Sequence, residues 1–165
     1  ILASLDIEPR DITDIIVTHT HFDHIGTINK FPDATIYIQE DELEQFLQKT
    51  RSKHVKEFLT SNANIQTFTS KHILYQDIAI IHIGGHSIGS SIVEITFNDS
   101  TYIIPSDECY LLNNCLNAKP VGTYYNANNN RQFIESIDAT HILPFHDVTI
   151  KDKYETISSS IIQII

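Results

Sequence analysis

Hydrophobic side chains near the start of the chain are grouped in a way that predicts two buried strands. Ile15, Ile16 and Val17 form an uninterrupted β-branched run, which is typical of a strand that is covered on both faces. Residues 34–39 alternate in strand fashion around Tyr37. Polar residues follow both segments, so we expect a turn after the first strand and a helix after the second.

Apolar residues at helical spacing predict two amphipathic helices after these strands. The spacing i, i+3, i+4 occurs at Leu43, Phe46 and Leu47 and again at Val55, Phe58 and Leu59. The first helix is expected from about residue 40 to 49, because three acidic residues at 40–42 would favour its N-terminus. Each helix would bury one apolar stripe against the rest of the protein.

Short β-branched segments separated by Asn, Asp, Ser and Gly predict that the middle of the chain is mostly sheet. The predicted strands lie near residues 65–68, 73–75, 77–83, 91–97 and 101–104. The pair Asn98-Asp99 between the last two strands predicts a hairpin turn, because both residue types tolerate tight turn geometry.

The last third of the chain predicts a helix, a strand and a closing helix. The Asn-rich segment 126–130 directly precedes residues 131–137, so we interpret it as a helix N-terminus rather than a linker. A strand is predicted at 141–143. A helix is predicted from about residue 152 onward, although a strand would suit so Ile-rich a run equally well. The helical spacing is that of Ile157, Ile161 and Ile165.

Size and charge restrict the class of protein. The 165 residues, with a mass of 18.8 kDa, fit one domain that spans residues 1–165. The formal net charge of -10 would repel a phosphate backbone, so we expect no nucleic-acid partner. No apolar run approaches the ~20 residues that cross a bilayer, so we expect no membrane partner and a soluble domain. No pattern in the sequence indicates the oligomeric state.

Two features of the composition concern the origin of the chain. Cys109 and Cys115 are too few for a disulfide framework, so a cytoplasmic location is expected. Cys109 itself is expected to be a small packing residue. The chain contains no Met and begins with Ile1. We therefore expect either that an N-terminal segment is missing or that methionine positions were removed from the sequence.

The most informative segment is His19-Thr20-His21-Phe22-Asp23-His24, which follows the first predicted strand. Residues i and i+2 of an extended strand end project to the same side, so His19 and His21 can hold one ion. The turn that begins at Asp23 can present its carboxylate and the His24 imidazole to a neighbouring position. This density of ligand types favours a metal site over a polar surface loop.

Three more strand ends carry potential ligands. His86 follows a predicted strand in the Gly-containing segment 84–90, where the backbone can approach a site closely. Asp107 ends the strand near 101–104, and His146 follows the last predicted strand. Sheet proteins assemble their sites from loops at the ends of buried strands, so we expect these side chains to meet.

These motifs resemble those of the metallo-β-lactamase fold hydrolases. The matching positions are H-x-H-x-D-H at 19–24, Gly26, G-H-x-x-G-S at 85–90, Asp107 and His146. The resemblance covers the chain from about residue 5 to 147. It implies an α/β protein of the α+β kind, an αββα four-layer sandwich with the site at the edge of two facing sheets. The N-terminal strands of this sandwich would be missing, since only 18 residues precede the signature.

The resemblance also implies two metal ions held by seven side chains. One ion would be bound by His19, His21 and His86, the other by Asp23, His24 and His146, and Asp107 would bridge them. Nitrogen and carboxylate ligands without thiolate suit two Zn²⁺ ions, with Mn, Fe or Co also compatible. Such ions ionise water near neutral pH and polarise a carbonyl or phosphoryl oxygen, so hydrolysis of a small-molecule substrate is expected.

One residue narrows the expected substrate. Tyr110 lies three residues after Asp107, as does a tyrosine in the N-acyl homoserine lactonases of this superfamily. The resemblance implies that the Tyr110 hydroxyl binds the substrate carbonyl while a bridging hydroxide attacks, and that Asp23 passes a proton to the leaving alkoxide. The alternative interpretation is that Tyr110 is a packing residue with a solvated hydroxyl and no catalytic role.

Lactone opening is therefore the favoured reaction, and three alternatives remain. The site could belong to a thioester hydrolase of the glyoxalase II kind, to a phosphoesterase, or to a non-catalytic metal-binding member of the superfamily. The motif does not separate the hydrolases, because the same ions polarise carbonyl and phosphoryl oxygens.

Other residues of similar chemistry are expected to be structural. His54 and His72 lie in polar surroundings and are predicted to be solvent-exposed. His82 and His141 are predicted to lie in strands with satisfied ring nitrogens. Asp147 is expected either to orient His146 or a neighbour as a hydrogen-bond acceptor, or to be a surface acid.

Overall fold

The structure of the chain, a computed structural model, describes residues 2–61, 64–138, 141–158 and 161–164. Within these ranges the chain forms ten strands and five α-helices. The strands are β1 (Asp14–Val17), β2 (Thr35–Gln39), β3 (Ile65–Phe68), β4 (Lys71–Tyr75), β5 (Ile78–His82), β6 (Ser91–Phe97), β7 (Ser100–Ile104), β8 (His141–Ile142), β9 (Glu155–Ser158) and β10 (Ile161–Gln163). The helices are α1 (Phe22–Ile25), α2 (Glu40–Lys49), α3 (Lys53–Ser61), α4 (Leu112–Leu116) and α5 (Ala127–Ser136). None of these helices has the length and apolar character needed to span a membrane.

The N-terminal sheet contains three parallel strands in the order β1-β2-β3. Its register pairs Ile16 with Tyr37 and Tyr37 with Gln66. Parallel neighbours need crossover connections, and here α1 lies between β1 and β2 while α2 and α3 lie between β2 and β3. Side chains from α2 and α3 pack in one cluster with Ile36 and Ile38 of the sheet, both of which are fully buried.

The second sheet has five strands in the order β4-β5-β6-β7-β8. The first four strands are antiparallel neighbours, and β8 runs parallel to β7. Helix α5 packs on this sheet through Phe133 and Ile134, which share a buried cluster with Ile92 and Ile103. The amphipathic pattern of residues 131–137 is thus used to cover the second sheet.

The two sheets pack on each other through a smaller cluster. Tyr37 and Phe68 of the first sheet contact Ile80 of the second. Because side chains alternate along a strand, Ile36 and Ile38 of β2 face the helices while Tyr37 faces the other sheet. The layers therefore follow the order helix, sheet, sheet, helix, and the predicted αββα sandwich of the α+β class is confirmed.

The closing helix predicted from residue 152 is wrong. Strands β9 and β10 form an antiparallel pair, and residues 148–153 before them form a 3-10 helix. Ile162 packs against Tyr102 and Leu143 rather than along a helix stripe. The β-branched residues of this segment favour extended backbone, and their spacing also suits a strand pair. Ile165 lies outside the described residues.

The cysteines differ from the sequence-based expectation. Cys109 and Cys115 form a disulfide across the turn that leads into α4. Both side chains are buried in the same cluster as Phe133 and Ile134, which brings the two sulfur atoms together. Cys109 does pack in the core as predicted, but it is also bonded. Cysteine usage therefore no longer supports the argument for a reducing location.

Candidate metal centre

Four chain segments meet at one edge of the sandwich, each at the end of a strand. They follow β1, β5, β7 and β8 and carry residues 19–24, His86, Asp107 and His146. The Ser91 N–H donates to the Thr18 carbonyl oxygen at 2.9 Å, which joins the end of β1 in one sheet to the start of β6 in the other. The site is thus built where the two sheets are bonded to each other.

The first group of potential ligands is His19, His21, His86 and Asp107, whose ligand atoms all lie within 4.8 Å of one another. The His21 Nδ1 atom is 3.1 Å from His19 Nε2 and 3.0 Å from His86 Nε2. His86 Nδ1 lies 3.0 Å from the Thr123 carbonyl oxygen and donates to it, which leaves Nε2 facing the group. His19 and His86 are buried, whereas His21 is exposed.

The second group is Asp23, His24 and His146, whose ligand atoms also lie within 4.8 Å of one another. Asp107 adjoins both groups. Its Oδ1 atom lies 3.2 Å from His24 Nε2 and 3.1 Å from His146 Nε2. Its Oδ2 atom lies 3.4 Å from His86 Nε2 in the first group. The Asp107 carboxylate therefore lies in the position of a ligand shared between two neighbouring sites.

Burial sets the ionisation of the first group. Burial lowers the pKa of His19 to about 2, with a further contribution from His24. Burial, followed by the proximity of His86, also lowers the pKa of His21. For Asp107, burial alone would raise the pKa, but the hydrogen bond with His24 and the neighbouring imidazoles outweigh it and lower the pKa to about 2. Neutral imidazole and ionised carboxylate are the forms that bind a metal ion.

The donor chemistry of these groups fits divalent cations. Five imidazoles and two carboxylates converge in two neighbouring groups, and the ring nitrogens of the first group approach one another with little else to attract them. A cation placed among such atoms would satisfy lone pairs that the protein leaves facing each other. Nitrogen and oxygen donors without thiolate suit Zn²⁺ and, less selectively, Mn, Fe or Co.

Ser106 supports His19 from a rare backbone conformation. Its φ angle of 49° lies in the left-handed region, which costs a non-Gly residue roughly 1–2 kcal/mol. The Ser106 hydroxyl lies 2.8 Å from Thr18 Oγ1 and 3.4 Å from His19 Nδ1. The tight turn at Ser106 thus directs Asp107 into the site and places a hydroxyl behind His19.

Glu108 is a buried residue of the site that sequence reasoning missed. Its Oε1 atom accepts from the Gly85 and His86 backbone N–H groups at 3.0 and 2.9 Å and from the Ser90 hydroxyl at 2.5 Å. Its Oε2 atom accepts from Asn130 Nδ2 at 2.6 Å. The side chain holds the His86 loop against α5. Its adjacency to Asp107 was the only signal in the sequence, and one acid beside another does not indicate burial.

Tyr110 lies beside both groups. Its hydroxyl is 3.4 Å from His86 Nδ1, and its ring centroid is 5.5 Å from that of His146. Burial and the charge of Asp107 raise the pKa of Tyr110, so its hydroxyl keeps its hydrogen at neutral pH. The phenol is half-buried at the site, which is not the position of a core packing residue.

The remaining histidines lie outside the two groups. His82 Nε2 is 2.9 Å from the Ile88 carbonyl oxygen, and His141 stacks on Tyr102 with 4.4 Å between ring centroids. His54 is exposed beside Ser52, and His72 packs near Tyr37 and Phe68. The roles predicted for His54, His82 and His141 agree with these positions. The predicted exposure of His72 is wrong, because it lies half-buried in β4 against two aromatic rings.

Asp147 bonds to backbone rather than to its neighbour His146. It accepts from the Leu112 N–H at 2.8 Å and from the Thr149 N–H at 3.0 Å. Asp147 therefore ties the His146 loop to the start of α4, which agrees with the expectation that it accepts a hydrogen bond from a neighbour rather than with the role of orienting His146.

The second group is the open side of the centre. The side chains of His146 and Asp23 are 41% and 61% exposed, compared with 6% for Asp107. A cavity of about 570 Å³ adjoins this group and is lined by apolar residues of both sheets, including Ile16, Val93 and Ile104. A molecule from solvent would therefore reach the centre past Asp23 and His146.

Comparison with known proteins agrees with this geometry. The sequence model of the metallo-β-lactamase superfamily matches residues 1–54. An N-acyl homoserine lactonase of a Bacillus species is 27% identical over 121 residues, which cover 73% of this chain and 48% of that protein. A protein named "probable metallo-hydrolase" of Methanocaldococcus jannaschii is 32% identical over 119 residues, which cover 72% of this chain and 48% of that protein.

The sequence of residues 1–54 and the fold of the chain both match the metallo-β-lactamase superfamily. A solved structure of an N-acyl homoserine lactone hydrolase, with the product N-hexanoyl-L-homoserine at its catalytic metal centre, superposes with a TM-score of 0.78. It is 21% identical, and the match covers 94% of this chain and 64% of that one, which shows a shared metallo-β-lactamase fold. The chain spans about half the length of the curated relatives that it matches.

Proposed function

We propose that this metallo-β-lactamase superfamily chain carries the centre of a dinuclear metal-dependent hydrolase whose favoured substrate is a lactone of the N-acyl homoserine type. The observation that carries the proposal is the pair of adjacent ligand groups with Asp107 between them. His19, His21 and His86 would hold one cation, and Asp23, His24 and His146 the other. When bound, two such cations, Zn²⁺ by preference, ionise water near neutral pH and polarise the scissile carbonyl.

Tyr110 would orient the substrate carbonyl. Its protonated hydroxyl lies next to His86 and His146, so it can donate a hydrogen bond to a carbonyl oxygen at the centre. Such a bond strengthens as negative charge develops on that oxygen in the transition state. This is the contribution that distinguishes catalysis from simple metal binding.

Asp23 would transfer a proton from the attacking water to the leaving ring oxygen. Its carboxylate is the most exposed ligand oxygen of the second group, and Oδ2 lies 3.6 Å from His24 Nε2 and 3.9 Å from His146 Nε2. It can accept a proton from the attacking water and return it to the ring oxygen as the acyl–oxygen bond breaks. The balance is then one lactone and one water converted to one hydroxy acid.

The relatives support a lactone more than the other esters. Proteins named N-acyl homoserine lactonase align with most of this chain, and Tyr110 stands where the sequence resemblance places a lactonase tyrosine. Thioesters and phosphoesters are the alternatives, since the same cations would polarise their oxygens. The net charge of -10 favours a small-molecule substrate over nucleic acid.

A substrate panel tests this function. The zinc-loaded chain is offered an N-acyl homoserine lactone, a thioester and a phosphodiester, before and after treatment with a chelator. We expect lactone turnover to be the fastest and to be lost on chelation. Turnover of only the thioester or the phosphodiester would replace the substrate assignment, and turnover of none would favour a non-catalytic member of the superfamily.

Removal of one hydroxyl tests the role of Tyr110. We expect Tyr110→Phe to lower kcat for the lactone by roughly 100-fold, because one donor to the developing oxyanion is lost. Tyr75→Phe is the matched control, since Tyr75 is exposed and bonds to Asp14, which lies at the end of β1 opposite to the centre. Equal lactone turnover by Tyr110→Phe and the control would show that the phenol only packs.

A further inference from the structure

We propose that Glu42 is a positioning residue for the metal centre, because its carboxylate joins the loop that carries His19 and His21 to the loop that carries His86. The inference rests on the proposed function in one respect only, that these histidines bind a cation. The sequence indicates only that an acidic residue at position 42 favours the start of the first predicted helix, and it does not indicate this role.

One oxygen of Glu42 holds the first loop. Glu42 Oε1 accepts from the Thr20 backbone N–H at 2.8 Å and from the Thr20 hydroxyl at 2.7 Å. Thr20 lies between His19 and His21, so its backbone orientation determines where both imidazoles point. Two bonds to one residue fix this orientation more firmly than either bond alone.

The other oxygen of Glu42 holds the second loop. Glu42 Oε2 accepts from the Ser87 hydroxyl at 2.7 Å and from the Gly89 backbone N–H at 2.9 Å. Ser87 directly follows His86. The three histidines of the first group are therefore connected to one carboxylate through their sequence neighbours.

A carboxylate suits this position better than any uncharged side chain. Glu42 is 3% exposed, and all four of its partners are donors. A glutamine would turn its NH₂ group toward two donors on one side and leave them unsatisfied. The first turn of α2 also favours negative charge, and the Gln39 side chain caps that turn by accepting from the Glu42 N–H.

The close approach of the second loop to α2 is an independent sign of this junction. A Cβ atom added to Gly89 would lie 2.8 Å from the Glu42 backbone nitrogen, which is closer than real Cβ atoms come. Only glycine lets the loop backbone lie directly on the helix start. The bonds to Glu42 are thus part of a packed junction rather than a contact across solvent.

The consequence concerns the protein before metal arrives. The ligand set itself supplies only a few contacts between the loops, among them His21 Nδ1 with His19 Nε2 at 3.1 Å and with His86 Nε2 at 3.0 Å. Contacts outside the ligand set add to the restraint on the loops. Glu42 supplies this restraint, and loss of such outer contacts costs about 10- to 100-fold in metal affinity.

The decisive experiment compares two glutamate-to-glutamine changes on the same helix. Zinc affinity is measured by competition with a chromophoric chelator for wild type, Glu42→Gln and Glu44→Gln, and the melting temperature of each metal-free protein is recorded. Glu44 is exposed on α2 and accepts from Gln48 of the same helix, so it is the matched control. We expect Glu42→Gln to bind its tighter zinc ion about 10- to 100-fold more weakly, and Glu44→Gln to match wild type.

Two smaller changes keep the test decisive if Glu42→Gln does not fold. Thr20→Val and Ser87→Ala each remove one hydroxyl donor, to Oε1 and Oε2 respectively, and keep the carboxylate. We expect each to weaken zinc binding several-fold with a smaller change in the metal-free melting temperature. A lower melting temperature with unchanged zinc affinity in these variants would show that Glu42 has only a structural role.

The outcomes separate this inference from the proposed function. Zinc binding that is insensitive to Glu42, Thr20 and Ser87 overturns the positioning role but leaves hydrolysis possible. Zinc binding that depends on Glu42 in a chain that turns over no substrate supports the positioning role and overturns the hydrolase. Failure of the wild-type chain to bind zinc overturns both.

Discussion

At the scale of single residues, the centre depends on buried side chains that do not bind metal themselves. Glu108 is fully buried and satisfied by donors on both oxygens, and Asn130 of α5 donates both to its side chain and to its backbone carbonyl oxygen. These bonds tie the Asp107 turn to the His86 loop. Removing one acceptor from such a network leaves a buried donor unpaired, which is more costly than the net contribution of the bond.

The first prediction is that Glu108→Gln destabilises the fold. The NH₂ group of the new glutamine must face either the Asn130 side-chain NH₂ or the donors of the His86 loop. One set of donors then loses its acceptor, so we expect the free energy of unfolding to fall by about 1–3 kcal/mol. Glu135→Gln on the exposed face of α5 is the matched control and should change it by less than about 0.5 kcal/mol. Urea unfolding measures both, and equal stabilities would refute the network role.

The second prediction concerns Asp14, which lies at the end of β1 opposite to the centre. Hydrogen bonds from Thr13 and Tyr75, with a further one from Tyr37, lower the pKa of Asp14 from its usual value of 3.8. The ionised form therefore stabilises the folded state above pH 3.8, and this contribution is lost as the pH falls through the lower folded pKa. NMR titration of the carboxyl group should give a midpoint below 3.8 in wild type.

Tyr75→Phe gives the corresponding control for Asp14. This change removes the donor 2.7 Å from Asp14 Oδ2, so the Asp14 midpoint should move up toward 3.8. The effect on stability at neutral pH should be small, because Tyr75 and Asp14 are solvent-accessible. A midpoint that does not move would mean that the Tyr75 bond is not formed in solution.

At the scale of elements, the junction between the His86 loop and α2 positions the first ligand group. The loop backbone reaches Glu42 only because Gly89 has no side chain. A glycine elsewhere in the chain has no such requirement: a Cβ added to Gly122 would meet nothing within 4 Å. The two positions therefore form a natural pair for a test.

The third prediction is that Gly89→Ala is destabilising and Gly122→Ala is not. The new methyl group at position 89 would meet the backbone of α2, which cannot yield as a flexible side chain would, so we expect a loss of about 1–3 kcal/mol. Alanine at position 122 should be neutral or slightly stabilising. Thermal unfolding of the two variants measures the difference, and equal melting temperatures would contradict the packed junction.

At the scale of the whole molecule, the centre connects the two sheets. Some of its candidate ligands follow β1 in the first sheet. The others lie at the ends of β5, β7 and β8 in the second sheet or in the loops after them. A cation at this centre would bind the folded chain more tightly than the unfolded one, because the ligands meet only in the folded chain. Metal binding should therefore stabilise the complete sandwich and not only the local loops.

The fourth prediction is that metal removal lowers global stability. With free zinc at 100 times Kd, chelation should reduce the free energy of unfolding by about 2.7 kcal/mol per site, and added zinc should restore it. His19→Ala should respond less to zinc, because a buried ligand of the first group is lost. Identical unfolding curves with and without chelator would show that the groups do not bind metal in the folded chain.

Much of the fold was predictable because its signals are local. The β-branched run of β1, the acidic start of α2 and the Asn98-Asp99 turn each depend on a few consecutive residues, and both turn residues do adopt positive φ. The C-terminal strands β9 and β10 were not predictable, since Ile spacing there suits a helix and a strand alike. The antiparallel pairing of β9 with β10 decided that this segment is extended.

The sequence by itself determined the ligand types and the close grouping of residues 19–24, since six consecutive residues cannot lie far apart. Only the tertiary structure decided that His86, Asp107 and His146 meet that motif, that the two cysteines are bonded, and that Glu42 and Glu108 hold the loops between them. The physical reason is distance along the chain: 65 residues separate His21 from His86, and 88 separate Thr18 from Ser106, and no local pattern records which strand ends will become neighbours.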